Sequence, residues 1–411
     1  YTEAQARLRQ VMALEPRKEL GARLVEEASV KMMAQMMAEP RMGDEPARLW
    51  ELYRKYYVGK RLDKERISKL AARVVDASIS EDERMMLYRE FGELGHYAVP
   101  YLAPYLKSLQ REDDRTYARI VISRMGSQAV LPVLELLGHK DELMRANAIL
   151  TLMDIEPPDL RVLPALKARL EDPKETDTVK RRAQEVLEKV TGLKAEAAKS
   201  AAAYYYESAN RYYLESPGTA EEAEEVDGYI WHLKEDGDLV PVLYPLWAWS
   251  FQMAEDLVLK GMKVAPDYAD FYPLAASIWA AQYQQVKGLV EIVGEQPAQH
   301  CFSEEEKQTV LEWNKKLADC RNLAALCGRA NVNQALHKVL ADMAKYPGHG
   351  RLGDVGVFLC RTLKELDPWG ELLAAAAAPP PASQAAPAKR KNKGALEAVP
   401  APVPQSAPAS A

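Results

Sequence analysis

Cysteine is missing from the first 300 residues of this 411-residue chain; the four present are Cys301, Cys320, Cys327 and Cys360. A disulfide framework is thereby excluded for most of the chain. Long apolar runs are missing too. No stretch approaches the roughly 20 residues that a membrane-crossing helix needs, because Lys, Glu, Arg or Pro interrupts each one. Strong charge of one sign is also lacking: the net charge is −6 and the pI near 5.8, so the whole chain is no polyanion binder. Only six histidines occur, and none pairs recognisably with a nucleophile. Walker-type loops, G-x-S-x-G and H-E-x-x-H are all absent. No cofactor is expected.

The chain does have a proline series. "AVPYLAPYL" (98–106), "AVLPVLELL" (129–137) and "RVLPALKARL" (161–170) place Pro100, Pro132 and Pro164 at intervals of 32 residues. Proline resists helix interiors but suits a helix start, where its missing N–H is no loss. A fixed period in the range of roughly 20–50 residues signals stacked repeats. Each run follows a helix candidate: 81–95, 113–126 and 140–155. In the last, Leu143, Ala146, Ile149, Leu150 and Met153 trace one stripe of a 3.6-residue period. Gly95 and Gly126 stand where helices should stop. Pro104 lies inside its run, so a loosened or delayed first turn is expected there.

The glycine, the Val-Pro or Leu-Pro helix start and the charged opening of the first helix resemble HEAT repeats of the short bacterial type. Asp141 and Arg145 stand four apart in "DELMRANAIL", as in that family, and "DTVKRRAQEVL" offers Arg181 and Arg182 in a similar place. The resemblance covers about 81–192, with a weaker extension over 45–80.

From Ala195 the composition changes. "AEAAKSAAAYYYESANRYYLES" reads as helix, and an acidic stretch follows. Asp236-Gly237 between two β-rich runs predicts a hairpin over 229–245, with Pro241 on an edge. Ala254, Gly261, Pro266, Tyr272, Ala275, Ala276 and Trp279 resemble the junction of two tetratricopeptide units, a likeness limited to about 246–285. Small residues there let helices approach while aromatics fill the space beside them. Ser303 and Glu306 have capping-box spacing, and 331–346 with 352–367 reads as one more helix pair. After Leu373 the chain is Ala, Pro and Ser, too poor in large apolar residues to repay its ordering entropy, and is expected to be disordered.

Three clusters have a structural explanation. Cys320 and Cys327, seven apart on a helix, are about 10 Å apart along its axis, too far for a mutual disulfide. No C-x-x-C accompanies them, so the cysteines are read as core, and their grouping with His300, His337 and His349 is not read as a zinc site. Met32, Met33, Met36, Met37 and Met42 read as a soft core stripe. Tyr204, Tyr205, Tyr206, Tyr212 and Tyr213, with Trp231, Trp247 and Trp249, read as packing between helices and hairpin.

The expectation is a mostly α fold: an α-solenoid of antiparallel helix pairs, HEAT-like then tetratricopeptide-like, with one β-hairpin insertion. Its segments are an N-terminal helical part (1–44), a HEAT-like array (45–194), tetratricopeptide-like helices with the hairpin (195–300), a helical cap (301–373) and a tail (374–411). Such stacks present long surfaces to protein or peptide partners. The expected function is a non-enzymatic interaction scaffold. An enzyme or lyase-like accessory subunit is one alternative. The other is a nucleic-acid-associated protein using the basic tail island Lys389, Arg390, Lys391 and Lys393 and a ridge of Arg145, Arg181 and Arg182. The chain opens on Tyr1, so a leader has been removed or the sequence is cropped. The free-looking cysteines point to cytoplasm.

Overall fold

The computed structural model describes residues 2–28, 32–33, 36–37, 39–109, 111–295, 304–346 and 350–366. Helices α1 (Thr2–Ala13), α2 (Lys18–Ala28), α3 (Glu45–Leu62) and α4 (Lys64–Val74) lead into the repeats. A separate small core gathers Leu8, Met12, Val25, Met33, Met42 and Leu49. Met33 and Met42 are fully buried there, whereas Met32 and Met37 stay exposed, so the methionine stripe is core on one side only.

The proline series starts helices as its spacing requires. The array comprises α5 (Glu81–Leu94), α6 (Val99–Leu106), α7 (Glu112–Ser123), α8 (Val130–Leu136), α9 (Glu142–Asp154), α10 (Leu163–Glu171), α11 (Asp177–Thr191) and α12 (Ala201–Tyr213). Pro100, Pro132 and Pro164 fall within the first three residues of α6, α8 and α10. Gly95 (φ +58°) and Gly126 (φ +65°) take the left-handed region that ends a helix and turn the chain through a single 3-10 turn into the next. The first turn of α6 is not delayed by Pro104: the helix runs from Val99 through it to Leu106. Only one backbone bond is lost in so short a helix, and the buried face of Val99, Leu102, Ala103 and Leu106 offsets it.

Helices α7, α9 and α11 pack in series as one layer; α6, α8, α10 and α12 form the second. Asn147, in the first layer, donates to the Leu106 carbonyl at 2.7 Å and ties neighbouring repeats together. The acidic stretch forms the short helix α13 (Thr219–Glu225). Next come β1 (Tyr229–Leu233) and β2 (Leu239–Leu243), antiparallel, with Tyr229 opposite Leu243 and Trp231 opposite Pro241. Pro241 is tolerated because a two-stranded ribbon has a free edge.

Helix α14 (Leu246–Val264) packs along α12, and α15 (Phe271–Glu295) packs on α14. A Cβ on Gly261 would lie 2.3 Å from the Phe271 ring, so only glycine permits this approach. The stretch 303–328 divides into α16 (Glu304–Trp313) and α17 (Leu317–Leu326). Its capping box starts at Ser303, outside the described residues. Helices α18 (Gly328–Lys345) and α19 (Gly350–Glu365) pack on α15 and on each other. One continuous core runs from Ile67 to Leu359. Among the described residues no helix is long and apolar enough to cross a membrane. The tail and its basic island lie outside the described residues.

Candidate functional site

The hairpin lies on the array's second layer. Strand β1 packs on α8. At its start, Tyr229 meets the Tyr97 ring edge-on at 5.4 Å and Trp231 meets His96 at 5.7 Å. Its turn reaches His139, just after α8. Gly237 takes φ +95°, and a Cβ there would stand 2.6 Å from His139 Nε2. Two histidines thus carry the hairpin. Burial, with Arg61 adding to it, pushes His96 down to about 3. Burial also lowers His139. Both stay neutral at pH 7, as apolar contact with the strand requires.

Between α8, α10, β1 and α14 lies a cavity of about 840 Å³. Leu131, Leu134, Ala165, Met253 and Leu257 give it apolar walls. At its polar side Lys260 bridges two carboxylates, Glu135 at 2.5 Å and Asp256 at 2.7 Å. Burial disfavours the Lys260 ammonium, but these two carboxylates outweigh it and hold the amine protonated. Burial pushes the Glu135 carboxyl up while Lys260 pulls it down. His232 Nδ1 lies 3.9 Å from Asp256. Burial pushes the Tyr205 hydroxyl up to about 12. A lysine held charged in this way is an ion-pair partner, not an amine nucleophile. Glu135, His232, Asp256 and Lys260 escaped the sequence reading, because Glu135 and Lys260 are 125 residues apart. The one local hint is Asp256 and Lys260 at helical i, i+4 spacing.

On the opposite layer, Met85, Met86, Tyr88, Arg89 and Gly92 of α5 and Arg124 beyond α7 line a more open groove of about 530 Å³. Met85 is 46% exposed and Met86 74%. The Arg124 guanidinium stacks on the Tyr88 ring at 4.6 Å.

The arginines singled out from the sequence do not form one ridge. Arg145 turns into the fold. It donates to Glu175 at 2.7 and 2.9 Å and to the His139 and Lys140 carbonyls at 2.8 and 3.0 Å. Its expected partner Asp141 instead caps α9 through the Met144 N–H. Arg84 and Arg115 do likewise in the two preceding repeats, donating to the Val74 and Asp76 carbonyls and to the Ser108 carbonyl. The repeat's arginine is therefore a staple that satisfies carbonyls left over at the previous helix end. Arg181 is exposed and Arg182 half-buried with Nη1 unpaired. Burial and the like charges of Arg119 and Arg181 lower Arg182, which places Arg119 beside this pair. Lys389, Arg390, Lys391 and Lys393 lie outside the described residues.

Cys320 is buried, Cys327 half-buried and Cys360 exposed, all free. Burial pushes the Cys320 and Cys327 thiols up to about 12 and about 11, which leaves them inert. His300, Cys301 and His349 lie outside the described residues, and among those described no cluster could hold a metal ion.

Residues 99–188 match the family model of HEAT repeats. Neither the curated proteins nor the solved structures compared with the chain yield a match.

Proposed function

We propose that this HEAT-like repeat protein is a non-enzymatic scaffold whose protein partner docks on the first-helix side of the array. One observation carries the reading. The second layer is occupied by the chain's own hairpin and α14, while the first keeps Met85 and Met86 exposed beside Arg89 and Arg124. Flexible thioether side chains next to guanidinium groups suit an apolar segment with acidic flanks. The match to HEAT repeats supports protein binding as the general role. The tetratricopeptide-like helices at 246–285 brace the array in this reading, and the cytoplasm is its compartment.

The alternatives gain less. An enzyme or accessory subunit draws on the cavity, yet its lysine is held as an ion-pair partner. Nucleic-acid binding loses Arg145 from its ridge, because Glu175 neutralises that charge.

The test is photocrosslinking from source-cell lysate with a crosslinkable residue at position 86 and, as control, at exposed Leu160. The reading requires one protein captured at 86 and not at 160, and lost with Arg89→Glu plus Arg124→Glu. Equal capture at both positions overturns it.

A further inference from the structure

We infer that the aromatic cluster where α14 meets α16 is a cation site that takes a lysine side chain of a protein partner, in the seat that the chain's own Lys316 fills. Trp247 stands at the start of α14, Trp313 closes α16, and Tyr244 lies just before α14. The Trp313 ring meets Trp247 at 5.1 Å and Tyr244 at 6.1 Å, both edge-on. Ala248, Val286 and Val290 pack against them. The 3-10 turn Asn314–Lys316 follows α16 and brings Lys316 over the rings. Its Nζ stands 3.9 Å from the Trp313 ring centre and 5.7 Å from that of Tyr244. Both lie within the roughly 6 Å over which the negative face of a ring attracts a cation. The occupant's chemistry is thus read from a group already in the seat.

The surrounding charge agrees. Glu255, half-buried further along α14, accepts from Gln252, Trp279 and Gln282 at 3.4, 2.9 and 2.7 Å. All three donors are neutral, so its negative charge is left uncompensated by them. That charge is felt at the cluster. Burial, then Glu255 and Asp256, raise the Tyr244 hydroxyl. Next to burial, Glu255 raises the Cys320 thiol while Lys316 lowers it. A carboxylate behind aromatic rings complements a cation and opposes an anion. The seat is also exchangeable. Lys316 is exposed and makes no ion pair among the described residues, so the rings alone hold its ammonium. An exposed contact of this kind is worth only about two- to fivefold in occupancy, and a second lysine competes with it on even terms. Leu243 and Leu246 flank Tyr244 and are 61% and 52% exposed. They give apolar surface to the polypeptide that carries the incoming lysine, which a free small ammonium would leave unused.

The test is fluorine NMR on the full chain labelled with fluorotryptophan, reading the Trp247 and Trp313 signals. The probes are Nα-acetyl-lysine methylamide, its Nε-trimethyl form, its neutral Nε-acetyl form, and choline, an ammonium without the lysine stem. The lysine and trimethyllysine probes should shift both signals saturably, and the neutral form should not. Lys316→Ala empties the seat and should tighten both charged probes about two- to fivefold, the worth of one exposed cation–π contact. Tyr244→Leu removes a ring and should weaken them by a similar factor. Trp247→Leu, read on Trp313 alone, gives a second measurement should the Tyr244 variant fail to fold. No saturable shift in the Lys316→Ala protein, an equal response to the neutral form, affinity unmoved by Lys316→Ala, or choline binding as tightly as trimethyllysine each overturns the proposal. Crosslinking at position 86 reads α5, so the two proposals fail separately.

Discussion

The array and the hairpin are held by different physics. In the array the same devices recur 30 or so residues further on: a left-handed glycine before α6 and α8, a proline start in α6, α8 and α10, and an arginine of α5, α7 and α9 folded back onto carbonyls. Every device is local, and neighbouring repeats only have to stack. The hairpin has five residues per strand and one partner strand. A ribbon of that size is marginal alone and survives because α8, His96 and His139 receive it. Periodicity stabilises the first region, and long-range docking the second.

Four experiments break or sharpen this contrast. The largest effect belongs to Arg145→Ala in the array, which strips the main partner from Glu175, whose side chain is 1% exposed. A loss of about 3 kcal/mol in urea unfolding is expected for opening such a buried pair; unchanged stability with lost partner capture would return Arg145 to the surface.

Acid comes next and acts on the hairpin. His96 titrates near 3 when folded, against an ordinary value of 6.5. Between those values the unfolded chain binds the extra proton. The stabilisation is therefore whole above pH 6.5 and is lost as pH falls towards 3. About 2 kcal/mol should go between pH 6.5 and 5, with the lowered His139 acting in the same direction. Thermal melts over that range should flatten in His96→Phe; an equal slope in both proteins would remove His96 from the account.

Gly237→Ala should cost about 1–2 kcal/mol, from its positive φ and the contact with His139. Hydrogen exchange should rise at 229–243 and not in α9. If both speed up together, hairpin and array are one cooperative unit. The smallest effect is Asp141→Ala, which removes the α9 cap and should cost about 1 kcal/mol in the same urea assay.

The groove on α5 escaped the sequence reading. Met85, Met86 and Arg89 lie within five residues of one helix, but Arg124 arrives only when α7 packs beside α5. The basic ridge shows the reverse. Arg145, Arg181 and Arg182 share a place in the repeat pattern, yet one faces carbonyls and Glu175, one faces solvent and one sits between like charges. A helix period says which face a residue takes, not which partner waits there.

By itself the sequence determined the α class, the 32-residue step, the turns at Gly95 and Gly126 and the hairpin at Asp236-Gly237, because each depends on backbone preferences within a few residues. The tertiary structure alone decided that the hairpin covers the second layer, that Glu135, Asp256 and Lys260 converge on one cavity, and that Arg145 is internal. Those outcomes depend on which surfaces remain unburied after the helices stack, and no local pattern encodes that remainder.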